Sequence, residues 1–328
     1  MARETAEDPC NLCRGTTHKL RYDYGDVGIY RCDACGLLSL RPQTSMHRLR
    51  EIYSGDYFRN ERFFETSLEE TGNLYGYADY LAERANKQYQ LNAIASKLYQ
   101  RVRDGAPDRR PRLLEIGCGL GFFLDTAYDV GFDVAGVEFN PSAVAFLRGK
   151  YRFPVFEGAF PEVAISGGPY DVVCAFDVIE HLSDPSRSCG AIARHLVAGG
   201  HLVLVTMDAG SLMSRLIGKR LEDFRRTSEH LYFFDRRTIS RLLHEAGFEI
   251  ESIESIGHTF QVEHLLDRLD IVFPIAFKLL KRLIRPRWLL KANIYVDLGT
   301  KICVTARKSP TSEGSSPVLG ASPERAWV

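Results

Sequence analysis

Residues 175–182 read "AFDVIEHL", which sets Asp177, Glu180 and His181 within five positions. At i, i+3 and i+4 the three share a face if the segment turns helically. They could then form a metal site or a general base with its orienter. They could also be no more than the polar end of a core strand. A second acid–imidazole pair, Glu229 and His230, stands in "SEHLYFF", between basic and aromatic residues. Tyr75 or Tyr77 in "GNLYGYADY" is a third candidate proton acceptor. Four cysteines form two C-x-x-C pairs, Cys10/Cys13 and Cys32/Cys35, with 18 residues between the pairs. Two thiolate pairs at this spacing can close a tetrahedral Zn²⁺ site in two knuckles, and four thiolates leave no open position. The zinc is therefore read as structural, in a small ribbon.

The segment "LLEIGCGLGFF" carries Gly117, Gly119 and Gly121 where an apolar strand runs into a helix. Glycines let the backbone approach a ligand, and a helix N-terminus offers free N–H groups. A dinucleotide fingerprint would be G-x-G-x-x-G, with pyrophosphate at that terminus. Here the third Gly is one residue early, and Glu115 precedes the first by two. A carboxylate at that point repels phosphate and suits a ligand with an ammonium group. Glu138, at the end of "VAGVE", can hold both hydroxyls of a ribose. A ligand with a ribose, an amino group and no phosphate is required, and S-adenosylmethionine fits.

Four ordered segments, "LLEIGCGLGFF", "VAGVEFN", "YDVVCAFDVIEHLSDP" and "LVAGGHLVLVT", resemble the class I S-adenosylmethionine-dependent methyltransferases over roughly residues 112–306. The resemblance implies an α/β, Rossmann-like seven-stranded sheet in the order 3-2-1-4-5-7-6, with strand seven antiparallel. It also implies that Glu115, Gly117, Cys118 and Gly119 line the methionine end of the cofactor and that Glu138 takes the ribose. Phe139 would pack by the adenine, Ala159 and Phe160 would form its rim, and Asp177 would face the methionine and the acceptor. Ubiquinone-pathway O-methyltransferases carry a similar E-x-x-E-H pattern that implies a divalent metal, although Asp177 has a shorter arm. Deoxysugar C-methyltransferases carry a similar Glu-His before an aromatic pair, behind a cysteine-rich N-terminal region. That likeness marks His230 as the base, with Glu229 beside it and His181 as its rival.

These residues need elements to position them. Strands are expected at Arg112–Ile116, Asp133–Val137, Tyr170–Ala175, His201–Val205, Phe248–Ser255 and Thr300–Ala306, with a short one near Pro154–Phe156. Helices are expected over Phe122–Val130, Pro141–Tyr151, Pro185–Val197 and Arg236–Ala246. Asn140 and Asp184 suit N-caps before Pro141 and Pro185, and Gly247 suits a C′ position. The chain divides into a zinc ribbon (1–45), a helical lid or linker (46–111) and a methyltransferase domain (112–308) with insertions at 207–235 and 257–295. A tail rich in Ser, Pro and Gly (309–328) should be disordered. Cys118, Cys174 and Cys189 read as small core residues rather than nucleophiles.

Lys+Arg and Asp+Glu balance at 42 each in 328 residues. That balance, and the lack of an N/D-P-P-Y/F motif, count against an RNA substrate. The opening "MARETAEDPCNLC" has no apolar run, so a cytoplasmic location is expected. Between residues 262 and 291 apolar positions follow a helical period. From 271 to 296 there are six Lys or Arg and no acid. The stretch is read first as a cap helix and second as a peripheral contact with an anionic membrane. The acceptor expected is a small molecule, first a sugar, nucleotide-linked sugar or glycan, then a lipid or quinone-like phenol.

Overall fold

The computed structural model describes residues 8–53, 80–105, 108–263, 265–266, 284 and 287–310. Tyr75, Tyr77, most of 262–286 and nearly all of the tail lie outside the described residues.

The centre is a sheet of seven strands. Four of them, β4 (Arg112–Ile116), β5 (Asp133–Glu138), β6 (Val155–Glu157) and β7 (Tyr170–Phe176), run parallel, as does β8 (Leu196–Met207) beside β7. "RLLEI" and "YDVVCAF" are near-continuous apolar runs because helices cover both faces of a parallel sheet. β10 (Phe248–Ser255) and β13 (Lys301–Lys308) complete it, and β13 is antiparallel to both of its neighbours. The full order is β10-β13-β8-β7-β4-β5-β6, the expected 3-2-1-4-5-7-6 read from the other edge.

Local signals end the helices where the sequence indicates. Asn140 accepts from the Ala143 N–H and Asp184 from the Arg187 N–H, each capping a helix that opens on proline. Gly247 follows the helix Arg236–Glu245 with φ +84°. Several strands run a residue or two longer than expected, and β8 is extended most. β8 begins at Leu196 rather than His201, because Leu196 already pairs with Tyr170 and a register shift between Tyr170 and Val172 lets the ladder resume at His201.

The N-terminal unit is a second sheet of β1 (His18–Asp23), β2 (Gly28–Cys32) and β3 (Leu38–Arg41). Its fourth strand is β9 (Tyr232–Phe233), which comes from the first insertion. Leu38 pairs with Phe233 and Ser39 with Tyr232. Side chains of the ribbon, such as Leu12, Ile29 and Leu40, share one continuous core with Leu204, Phe234 and Phe248 of the body. Burying Phe233 and Phe234 is worth about 2–3 kcal/mol each, which fastens the insertion between ribbon and sheet. A second core lies on the opposite face, under the helices Tyr80–Val102 and Phe122–Val130.

Gly121 sets the entry of the helix Phe122–Val130. It has φ +77°, and a Cβ there would stand 2.5 Å from Cδ2 of Leu147. Gly121→Ala is expected to cost about 1–3 kcal/mol, seen as a lower denaturant midpoint at unchanged m-value. An unchanged midpoint would mean that the turn relaxes freely.

Candidate active site

The glycine loop lies at the carboxyl edge of β4, and β5 shapes it. The N–H groups of Gly117 and Cys118 both donate to the Val137 carbonyl, and Gly117 is left-handed at φ +69°. A Cβ on Gly117 would meet Cγ2 of Val178 at 2.5 Å, so only glycine lets the loop pass this close to the strand β7 exit. Glu138 ends β5 and reaches back. Its Oε2 accepts from Gly119 N–H at 2.8 Å, and its Oε1 accepts from the N–H groups of Phe139 and Asn140 at 2.8 and 2.7 Å.

Glu115 is 5% exposed, and its Oε2 has no hydrogen-bond partner among the described residues. Burial raises its pKa well above the ordinary carboxylate value, and the nearby Glu138 raises it further. Burial also raises Glu138, against the pull of its three N–H donors. Two buried carboxylates thus face one loop, and among the described residues no Lys or Arg is one of the charges acting on them. Cys118 is packed in the core with Phe123 and Leu124, and burial lifts its thiol far above thiolate range. After β6, the Gly158 N–H donates to the Glu138 carbonyl, which brings Ala159 and the buried Phe160 to the same edge.

The side expected to face the acceptor is built by two segments about fifty residues apart. After β7 the chain turns sharply at Asp177, a non-glycine residue with φ +54°, and makes one 3-10 turn over Ile179–His181. Asp177 leaves the trio suggested by the sequence. Its Oδ1 accepts from Nζ of Lys301, the first residue of β13, at 2.5 Å. His230 takes its place, with its ring 4.6 Å from that of His181 and nearly perpendicular to it. Glu180, His181 and His230 each present one donor atom within 4.8 Å of the others. Glu180 is fully buried, and neither of its oxygens has a hydrogen-bond partner among the described residues.

Glu229 does not pair with His230 as its sequence position suggests. Its buried carboxylate accepts from Arg226 at 2.7 Å, and Arg226 also holds Glu222. What Glu229 gives the site is its backbone carbonyl, 3.0 Å from Nδ1 of His181. The Tyr53 hydroxyl lies 2.8 Å from the same nitrogen. A carbonyl only accepts, so this geometry puts the ring proton on Nδ1 and the lone pair on Nε2. Burial lowers the pKa of His181, although Glu229 opposes it. Burial lowers His230 much further, helped by His181, Arg226 and Lys301. Both imidazoles are therefore neutral at pH 7. His181 is half-buried, whereas His230 is 4% exposed and lies behind it against Phe233.

Tyr53 escapes the sequence reading. It ends the helix Met46–Tyr53, its ring stands edge-on to both Phe139 and His181, and its carbonyl accepts from the Asn140 side chain. It therefore touches both the β5 exit and the imidazole. The only local hint is a tyrosine directly after the buried Leu49 and Ile52 on an amphipathic helix.

The four N-terminal cysteines converge as their spacing requires. Their sulfurs all lie within 4.8 Å of one another, with Cys10–Cys35 and Cys13–Cys32 at 3.5 Å. Tetrahedral metal–thiolate bonds of about 2.3 Å place sulfurs slightly under 4 Å apart, so the cluster fits a metal ion. Burial would raise the Cys32 thiol, yet donors around it, first the Cys35 N–H, bring it down to about 7.

The sequence profile of the methyltransferase-domain family matches residues 85–253, just over half of the chain. The chain belongs to this family. A methyltransferase-domain protein of Mycolicibacterium smegmatis, named a probable S-adenosylmethionine-dependent methyltransferase, is 30% identical over 162 residues, which is 49% of this chain and 60% of its own length. The ubiquinone biosynthesis O-methyltransferase of Thiobacillus denitrificans is 28% identical over 166 residues, 47% of this chain and 71% of its own. The solved S-adenosylmethionine dependent methyltransferase of Mesorhizobium loti is 18% identical, with 66% of this chain and 100% of that one aligned at a TM-score of 0.42.

Burial and the Asp177 carboxylate hold Glu180 protonated up to about pH 8, with Lys301 opposing them. Its folded pKa lies above the unfolded value near 4.3. The stability tied to the neutral form is complete below that value and is lost as pH rises through about 8. Glu180→Gln stays neutral throughout. Its melting temperature should therefore fall less than that of the unmodified protein between about pH 5 and pH 9. Parallel curves would show that Glu180 ionises at no cost.

Proposed function

We propose that this methyltransferase-domain protein transfers the methyl group of S-adenosylmethionine to a small-molecule acceptor: a sugar, nucleotide-linked sugar or glycan. The observation that carries the cofactor reading is the pair Glu115 and Glu138, buried at a glycine loop with no Lys or Arg of the described residues among the charges acting on them. A ligand bearing an ammonium and a sulfonium relieves that imbalance, whereas a pyrophosphate would worsen it. In this reading Glu138 accepts from the ribose hydroxyls, and Gly117 and Gly119 leave room for the methionine end. Phe139, Ala159 and Phe160 flank the adenine, and Asp177, fixed by Lys301, stands on the acceptor side.

When bound, the cofactor supplies an electrophilic methyl on a positively charged sulfur. The chain's own task is to aim an acceptor along the line of the carbon–sulfur bond and to take its proton. His181 suits that task better than His230. It is the more exposed of the two, and it is neutral, with its Nδ1 proton directed at Glu229 and Tyr53. The lone pair on Nε2 would then be placed to take the proton that the acceptor gives up. The resulting imidazolium is steadied by the Glu229 carbonyl. His230 and Glu180 form the wall behind it, and Tyr53 links the ring to the residues beside the adenine.

A second reading has one observation in its favour. Glu180, His181 and His230 are a carboxylate and two imidazoles close enough to share a divalent ion, and a relative is named a ubiquinone biosynthesis O-methyltransferase. O-methylation of a phenol assisted by such an ion would make turnover depend on added metal. Turnover unchanged by chelation, at constant cysteine-bound metal, would set that reading aside.

Mutation separates the roles. Glu138→Ala should weaken cofactor binding by roughly ten- to a hundredfold, the value of a charged hydrogen bond, measured by calorimetry. His181→Ala should lower kcat by about 10²–10⁴-fold with cofactor affinity near normal. If His230→Ala abolishes turnover while His181→Ala spares it, the proton goes to His230 instead.

We also infer that the four cysteines hold a structural zinc. Cys35→Ser should lose one zinc per chain by elemental analysis and lower the melting temperature by roughly 5 °C or more. A metal-free protein with an unchanged melting curve would remove the metal from the account.

A further inference from the structure

The last part of the second insertion is ordered but poorly covered. A 3-10 turn, Arg287–Lys291, leads into β12 (Asn293–Val296), which pairs antiparallel with β11 (His258–Gln261) as a separate two-stranded ribbon. Trp288 is 67% exposed, Tyr295 53% and Ile294 44%, and Leu289 and Leu298 are exposed as well. These five are half of the large apolar side chains exposed among the described residues, and they fall within eleven positions. Neighbouring residues of a strand face opposite sides, so Ile294 and Tyr295 leave both faces of the ribbon open.

The ribbon is nevertheless held in place. The Tyr295 hydroxyl accepts from the Gly257 N–H at 2.9 Å, Gln90 donates to Thr259 at 3.0 Å, and Ser255 donates to Asp297 at 2.6 Å. A two-stranded ribbon is barely stable alone, so this arrangement suits a surface that completes it from outside.

Charge indicates which surface. Arg287 and Lys291 are exposed beside Trp288. The adjoining sequence adds Lys278, Lys281, Arg282 and Arg285, and no Asp or Glu occurs from 271 to 296, in a chain whose overall charge is zero. Asp297, the next acid along the chain, is tied into its own turn by Gly299 and Ser255, and Glu263 follows Val262, whose N–H donates to the Ala292 carbonyl. Cations interleaved with Trp, Tyr, Leu and Ile match the boundary of an anionic bilayer, where rings rest at headgroup level and basic groups meet phosphates. A nucleic acid would use the cations but would leave the aliphatic groups uncovered.

The patch also lies on the functional edge of the sheet. β13 begins four residues beyond Leu298's neighbour Asp297, and its Lys301 pairs with both Met207 in the ladder and Asp177 in the candidate site. We propose that the β11–β12 ribbon and the Arg287–Lys291 turn seat this protein on an anionic lipid bilayer, with the methyl-transfer site at that interface. The docking rests on the exposed patch alone and stands whatever the acceptor proves to be.

The test is co-sedimentation of the full chain with vesicles. Binding is expected to vesicles of phosphatidylcholine with phosphatidylglycerol and not to phosphatidylcholine alone, and it should weaken with salt. Arg287→Gln with Lys291→Gln should reduce affinity by roughly thirtyfold, at about 1 kcal/mol per charge. Trp288→Ala should also weaken binding, and both variants should keep the melting temperature and cofactor affinity of the parent. Three results would overturn the proposal: equal binding to both vesicle types, vesicle binding unaffected by either variant, or no vesicle binding together with RNA binding or a dimer that Trp288→Ala dissolves.

Discussion

The backbone of Leu231 holds three parts of the molecule together. Its carbonyl accepts from the N–H of Leu40 in the cysteine-bound ribbon, and its own N–H donates to the carbonyl of Glu180 at 2.9 Å. The ribbon edge, the insertion and the turn after β7 are thereby fixed within one short ladder. His230 precedes Leu231 and His181 follows Glu180, so this ladder sets the distance between the two imidazoles. The aromatic residues that follow, Tyr232, Phe233 and Phe234, anchor the ladder in the common core. Backbone hydrogen bonds are directional and short, which makes them better suited than side-chain packing to hold reacting groups in register.

Charge is distributed differently at the two ends of the candidate site. On the expected acceptor side, ion pairs close within the chain: Asp177 with Lys301, and Glu222 and Glu229 with Arg226. Burial opposes the charge of Lys301, yet Asp177, Asp223 and Glu180 together hold its pKa above the ordinary value. At the glycine loop, among the described residues, Glu138 is answered by backbone N–H groups alone and Oε2 of Glu115 by none. A buried charge without a counter-charge is costly, so a cationic ligand gains most where the chain leaves the balance open. The acceptor end, already balanced, is better suited to a neutral guest.

The sheet was largely legible in the sequence. Its strands are short apolar runs with local punctuation, and Asn140, Asp184 and Gly247 act through contacts within three or four residues. The glycine loop was legible for the same reason. The acceptor side was not, because it is made by long-range contacts. His230 reaches Glu180 only through the ladder, and Tyr53 meets His181 at a sequence separation of 128. Spacing along the chain grouped Asp177 with Glu180 and His181, since nothing in "AFDVIEHL" shows that Lys301 claims the aspartate. It grouped Glu229 with His230 because they are adjacent, although adjacent side chains at a turn diverge and Arg226 one turn back is the nearer partner. The ribbon's fourth strand was hidden too, since two residues carry no periodicity.

That fourth strand also bears on how the protein is made. β3 is complete once residue 41 has left the ribosome, but its partner residue Phe233 follows almost two hundred positions after Leu38. Until then the ribbon carries an open strand edge, the kind of surface that pairs with other chains. Closing it requires the entire parallel sheet between to form or to be spanned as a loop, a high-contact-order step that is slow by nature. Early metal capture by the four cysteines would keep the nascent ribbon compact through that interval. The ribbon can thus begin to fold before the central sheet exists, yet it is finished only after that sheet's strands have been made.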